Sequence, residues 1–170
     1  MSWFRRCLAA LAALCLLSAQ APGAPLPDLN GPVILTVTGL DPEKFGEGKV
    51  ELDLGRLQAI GKDEISTTTM WTDGKHRFTG VMLRDLVNFL NIGGVNLRFH
   101  ALNDYAVEFP AAEATEVAPI LAYAMDDATM SVRDKGPVWV LYPYDDGPEY
   151  RTDTIFNRSI WQLDRIDVLR

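Results

Sequence analysis

From Val33 onward the chain is a succession of short runs rich in β-branched and aromatic residues, each bounded by Asn, Asp, Gly or Pro, and only one stretch has clear helical spacing. Strands are predicted at 33–38, 50–54, 65–72, 76–81, 95–101, 105–109, 120–125 and 138–142. Asp73-Gly74 between the third and fourth runs signals a hairpin turn. A helical turn is expected around Arg56 to Ile60, closed by Gly61. Leu83, Leu86, Val87 and Leu90 recur at three- and four-residue intervals, which predicts a helix over 83–91 that Gly93-Gly94 ends. Residues 143–156, with Asp145-Asp146-Gly147-Pro148, read as a long loop, and 159–169 as a short helix running into a strand. The expected class is α+β, mostly β.

Both cysteines, Cys7 and Cys15, fall in a segment with the three parts of a secretion signal. Arg5 and Arg6 precede an apolar run over 7–19, and small residues follow it. The run is too short to span a bilayer, and Leu14 before Cys15 argues against a lipid anchor. Residues 1–24 are therefore expected to be a cleaved signal peptide, 25–32 a proline-rich leader, and 33–170 one domain of a periplasmic protein with no membrane anchor. Because Arg5 and Arg6 are the only charged residues in the signal, its loss takes the net charge from −7 to −9, which disfavours nucleic acid as a partner. The remaining domain has no cysteine, hence no disulfide and no sulfur nucleophile, so packing alone must stabilise it.

Classical catalytic patterns are missing. His76 and His100 lie in different predicted strands without ligand spacing, which leaves no metal site, and Ser66, Ser131 and Ser159 sit in no nucleophile elbow. Asp145-Asp146 reads as a solvated turn rather than a calcium site. More informative are four polar and aromatic stretches at strand ends: 67–71, 103–105, 131–137 and 157–161. Together they hold the π-faces and hydrogen-bonding groups that a flat heteroaromatic ligand needs. Pattern alone fits other roles equally well: Trp71 and Trp161 as core residues, and Arg133, Asp134 and Lys135 as a charged turn.

Those stretches also carry a family resemblance. Residues 78–86 (FTGVMLRDL), 101–105 (ALNDY), 130–143 and 158–163 (RSIWQL), in this order, resemble the oxidoreductase molybdopterin-binding domain, the fold of the sulfite oxidase catalytic domain, over roughly 33–170. In the molybdenum enzymes of that family a cysteine thiolate binds the metal. The matching stretch here, 66–71, offers threonines, whose hard, high-pKa hydroxyls cannot replace a soft thiolate.

The chain thus looks closest to small periplasmic members without the thiolate, among them pterin-binding proteins that regulate a membrane-bound cyclic-di-GMP enzyme. The resemblance implies a retained pterin pocket without molybdenum and without catalytic residues. Trp71, Tyr105 or Trp161 would stack on the pterin, Asp134 would meet its amino-oxo edge, and Arg158, with Arg133 second, would supply a cation. Asn103 would bridge polar edges, and Thr69 belongs to the same stretch as Trp71. The expected function is non-catalytic: pterin occupancy relayed to the periplasmic domain of an inner-membrane signalling protein. The alternatives are a molybdopterin-dependent oxidoreductase with unusual metal ligation, and a scaffold with a vestigial pocket.

Overall fold

A computed structural model describes residues 25–169, so the expected signal peptide lies outside the described residues. Two five-stranded sheets share one continuous core. The strands are β1 (Leu35–Thr38), β2 (Val50–Leu52), β3 (Asp63–Thr68), β4 (Lys75–Met82), β5 (Asn96–Ala101), β6 (Ala106–Pro110), β7 (Ile120–Met125), β8 (Ala128–Thr129), β9 (Trp139–Leu141) and β10 (Leu163–Leu169). The helices are α1 (Pro42–Phe45), α2 (Leu54–Ile60), α3 (Leu83–Leu90) and α4 (Asp153–Arg158).

The first sheet runs β2-β1-β10-β5-β6. Only its β1–β10 pairing is parallel, and it brings residues 36–38 beside 165–167. Strand β10 sits at the centre because its alternation buries Leu163, Ile166 and Val168. The second sheet runs β3-β4-β7, with β8 and β9 pairing different ends of β7. The expected hairpin is present: Thr68 pairs with Lys75 and the ladder continues to Asp63 opposite Gly80. Strand β7 is buried from Ile120 to Ala124, so it carries an unbroken apolar run instead of an alternation.

Helix α3 buries Leu83, Leu86, Val87 and Leu90, the four residues whose spacing predicts it. It stops at Asn91, two residues before the glycines expected to end it. Asn91 adopts a left-handed conformation at φ 54°, and the Ile92 amide donates to the Val87 carbonyl. Helix α2 starts on Asp53, whose carboxylate accepts from Arg56 N at 2.8 Å.

Three expectations change. Strand β3 ends at Thr68 rather than Thr72, because the Thr69 hydroxyl accepts from Trp71 N at 3.1 Å and so offers the backbone a turn in place of a ladder. The region 143–156 is not simply loop: Thr152 caps α4, accepting from Ile155 N at 3.3 Å. That helix precedes Ser159 rather than following it, and 159–162 is irregular before β10.

Candidate functional site

The turn after β3 delivers Trp71 into a cage of aromatic rings. It meets Trp139 at 5.9 Å, Tyr144 at 6.2 Å, Phe156 at 6.0 Å and Trp161 at 5.8 Å, all edge-on. Edge-to-face contact sets the positive rim of one ring against the negative face of another. Two polar groups of the cage, the Trp139 indole N–H and the Tyr144 hydroxyl, are satisfied by Ser159, which is buried. Its carbonyl accepts from Trp139 Nε1 at 3.2 Å, its Oγ accepts from the Tyr144 hydroxyl at 2.6 Å, and the same Oγ donates to the Ile155 carbonyl at 2.8 Å. Burial also holds the Tyr144 phenol well above its ordinary range.

A cleft of about 410 Å³ opens against this cage. The β3–β4 turn contributes Met70 and Trp71, and the end of β5 with its following turn contributes Ala101, Asn103 and Tyr105. Helix α4 and the segment after it contribute Phe156, Asn157, Ser159, Ile160 and Trp161. Tyr105 spans from one wall to another, its hydroxyl donating to the Asn157 carbonyl at 3.1 Å. The Asn103 Oδ1 accepts from Tyr105 N at 3.2 Å, which fixes the turn and leaves the amide N–H groups of Asn103 for a ligand. Among the described residues, no acidic or basic side chain lines the cleft.

Of the eight residues singled out from sequence, Trp71, Asn103, Tyr105 and Trp161 come together here, although up to ninety positions separate them. The other four lie outside the wall. Thr69 is spent inside its turn, sharing a 2.8 Å hydrogen bond with the Thr72 hydroxyl. Asp134 accepts from the Ser131 hydroxyl at 2.6 Å, and Arg133 is exposed on the same one-turn helix. Arg158 pairs with Glu113 and lays its guanidinium 5.1 Å from the centre of the Phe109 ring. The stretch 131–137 instead reaches the site from behind through Lys135, whose ammonium lies 4.7 Å from the Trp161 ring centre and 5.4 Å from that of Trp139.

Met70, Asn157, Ser159 and Ile160 line the cleft from within the stretches 67–71 and 157–161, though none was singled out individually; sequence reasoning passed over Ala101 and Phe156, and it undervalued Asp145 and Gln162. Asp145 is no free turn acid. Its carboxylate accepts from the Thr68 hydroxyl at 2.6 Å and Thr68 N at 3.0 Å, with Lys75 and Arg151 each 3.5 Å away. The Thr68 hydroxyl is the main reason its carboxyl sits below the usual range. Gln162, at φ 54°, receives its N–H bond partner in the Lys135 carbonyl, accepts from Leu102 N, and donates its side-chain amide to the Val132 carbonyl at 2.8 Å. It thereby ties the stretch 131–137 to the residues flanking two others, Leu102 before 103–105 and Gln162 itself after 157–161.

Chemically the cleft can stack a flat ring and hydrogen-bond its edges. Among the described residues there is no group of three or more His, Cys, Asp or Glu placed to hold a metal ion. The cleft's donor set of amides, hydroxyls and one thioether does not match a thiolate-ligated molybdenum centre.

No family model matches the chain, and no curated protein matches it. Among solved structures it is similar to the sulfane dehydrogenase SoxCD from Paracoccus pantotrophus, with a TM-score of 0.53 and 13% identity. The match covers 79% of this chain but 37% of that one, so the chain spans little more than a third of its structural neighbour. At this identity the likeness concerns the fold alone: mixed α+β, mostly sheet, of the sulfite oxidase kind.

Proposed function

We propose that this protein is a non-catalytic pterin-binding module of the periplasm, which presents its loaded form to the periplasmic domain of an inner-membrane signalling protein such as a cyclic-di-GMP enzyme. The observation that carries the reading is the cleft itself. A wall of Trp71, Trp161 and Phe156, a mouth set by Asn103 and Tyr105, and no charged lining residue suit a flat, neutral heterocycle with hydrogen-bonding edges. At the end of β3 and in the turn that follows, every threonine hydroxyl has a structural partner and none of these residues offers a thiolate, which favours binding over molybdenum redox chemistry. The relay to a partner needs only that the partner prefer one occupancy state, since differential affinity shifts the population.

Isothermal titration with 7,8-dihydropterin tests the binding step. Tight, saturable binding is expected, and Tyr105→Ala and Asn103→Ala, both at exposed positions, should each weaken it about tenfold, in keeping with stacking worth ~1–3 kcal/mol per heterocycle. Absence of heat and of competition at millimolar pterin would overturn the reading. Stoichiometric molybdenum in protein purified from its native compartment would overturn the non-catalytic part of it.

A further inference from the structure

A second cleft, of about 490 Å³, shares no lining residue with the first. Its walls come from the leader and start of β1 (Asn30 to Pro32, Ile34), from the first turns of α2 (Asp53 to Gly55, Gln58), and from Tyr123, Thr129, Met130 and Pro137. The walls are fixed rather than casual. The Asp53 carboxylate, only 2% exposed, accepts from Asn30 N at 2.8 Å, Gly31 N at 3.0 Å and Arg56 N at 2.8 Å, which binds the leader to the start of α2. Residues 130–137 supply both Met130 and Pro137 here, and the same segment sends Lys135 onto Trp161 of the first cleft.

The lining is apolar at Pro32, Ile34, Leu54, Met130 and Pro137, but it contains one costly exception. Tyr123 is 4% exposed, and its phenol oxygen is buried with no hydrogen-bond partner. A buried hydroxyl left unbonded is a net loss to the fold, and such groups in proteins are few. The Gln58 side chain approaches it without closing a hydrogen bond. Gln58 is exposed on α2, so it can swing aside at little cost. Burial holds the Tyr123 phenol above its ordinary range, so its O–H remains a donor throughout the physiological range.

We propose that this cleft is a second binding site, taking a small neutral cyclic amide whose carbonyl accepts the Tyr123 O–H and whose N–H meets the Gln58 carboxamide. The ring would lie against Ile34, Leu54 and Met130. Neutrality follows from the charges: among the described residues Asp53 is the one ionised group in the lining, which repels anions, and its three backbone donors leave it no need of a cation.

The test is a residue-resolved NMR titration of the ¹⁵N-labelled protein with δ-valerolactam as probe. Saturable shifts are expected at the Gly55, Thr129 and Met130 amides, with a dissociation constant in the millimolar range normal for a probe of this size, on the order of 1 mM. Tyr123→Phe should weaken the probe about fivefold, the usual worth of one neutral hydrogen bond, and Gln58→Ala by less. Tyr123→Phe should melt no lower than the parent, because it deletes an unbonded hydroxyl. No saturable shift at those amides would overturn the proposal, and so would unchanged affinity in Tyr123→Phe. A lowered melting temperature in Tyr123→Phe would also overturn it, since the hydroxyl would then have a structural partner. Shifts confined to Asn103, Tyr105 and Trp161 would put the probe in the first cleft, sinking this proposal while leaving the pterin reading intact.

Discussion

Replacing Trp71 with alanine should unfold the protein more readily before it says anything about ligand binding. A fully buried tryptophan truncated to alanine costs about 3–5 kcal/mol. Trp71 is only partly buried, which reduces the transfer part, but it is the common partner of four rings at 5.8 to 6.2 Å. Each edge-on pair is worth roughly 0.5–1.5 kcal/mol beyond buried area, and pairs sharing a ring do not add fully. About 3 kcal/mol is the resulting expectation, equivalent to a fall of roughly 6–12 °C in Tm for a domain of this size. Urea unfolding followed by far-UV circular dichroism measures it without relying on the altered tryptophan fluorescence, and an unchanged m-value would locate the effect in the native state. Trp71→Phe, which keeps a ring in the cage, should recover more than half of the loss. A cost below ~1 kcal/mol for Trp71→Ala at unchanged m would refute the idea that this side chain organises the cage. The consequence for binding is practical: a change in affinity on Trp71→Ala would mix lost stacking with lost packing, whereas Tyr105, 46% exposed, can be truncated with little structural penalty.

Two further outcomes are expected. His76 Nδ1 shares a 2.6 Å hydrogen bond with Asp126, which raises the histidine pKa and lowers that of the acid, so the pair's stabilisation is complete below the unfolded histidine value of about 6.5 and fades as pH rises through the folded one. The parent should therefore lose Tm relative to His76→Gln as pH rises above about 6.5, and identical pH profiles for the two would contradict the assignment. Gly80→Ala should destabilise by about 1–3 kcal/mol, because its Cβ would sit 2.2 Å from the Leu121 carbonyl oxygen and 2.6 Å from Ala122 Cα, backbone atoms that no rotamer change can move. A urea midpoint equal to the parent's would show that β4 and β7 can separate at that point more freely than their pairing implies.

How much of this was legible in the chain depends on the range of the force that decides each feature. Helix α3 was legible because its apolar spacing is local and its buried face matches that spacing residue for residue. Its end falls one residue short of the expected Asn91, which takes the left-handed capping position instead. Helix α4 was missed for the opposite reason: at six residues, with Ile155 and Phe156 adjacent, it shows no periodicity, and its Thr152 cap looks like any loop threonine. At the site, Trp71, Asn103, Tyr105 and Trp161 could be picked out because stacking and amide chemistry are properties of the residue itself. Arg158 and Asp134 could not be placed, because which charge an arginine meets is a tertiary matter. Arg158 finds Glu113, forty-five positions away, and Asp134 closes on Ser131 in its own turn.

The threonine stretch at the end of β3 has an architectural role. Thr67 is fully buried, and its Oγ1 donates to the Thr68 carbonyl while accepting from Asp145 N at 3.2 Å. Thr68 binds the Asp145 carboxylate twice, and Thr69 turns the chain so that Trp71 enters the cage. Asp145 in turn approaches Arg151, whose Nε donates to the Tyr144 carbonyl at 2.6 Å, so the clamp ends on a ring that packs against Trp71 itself. Two rings of the aromatic cage, Trp71 and Tyr144, are thus tied to one hydrogen-bonded circuit before any ligand arrives. Preorganisation of that kind spares a ligand the entropy of ordering the side chains it stacks on. A recognition site profits from such rigidity, and the Thr67, Thr68 and Thr69 hydroxyls each already hold a partner within the framework behind the cleft.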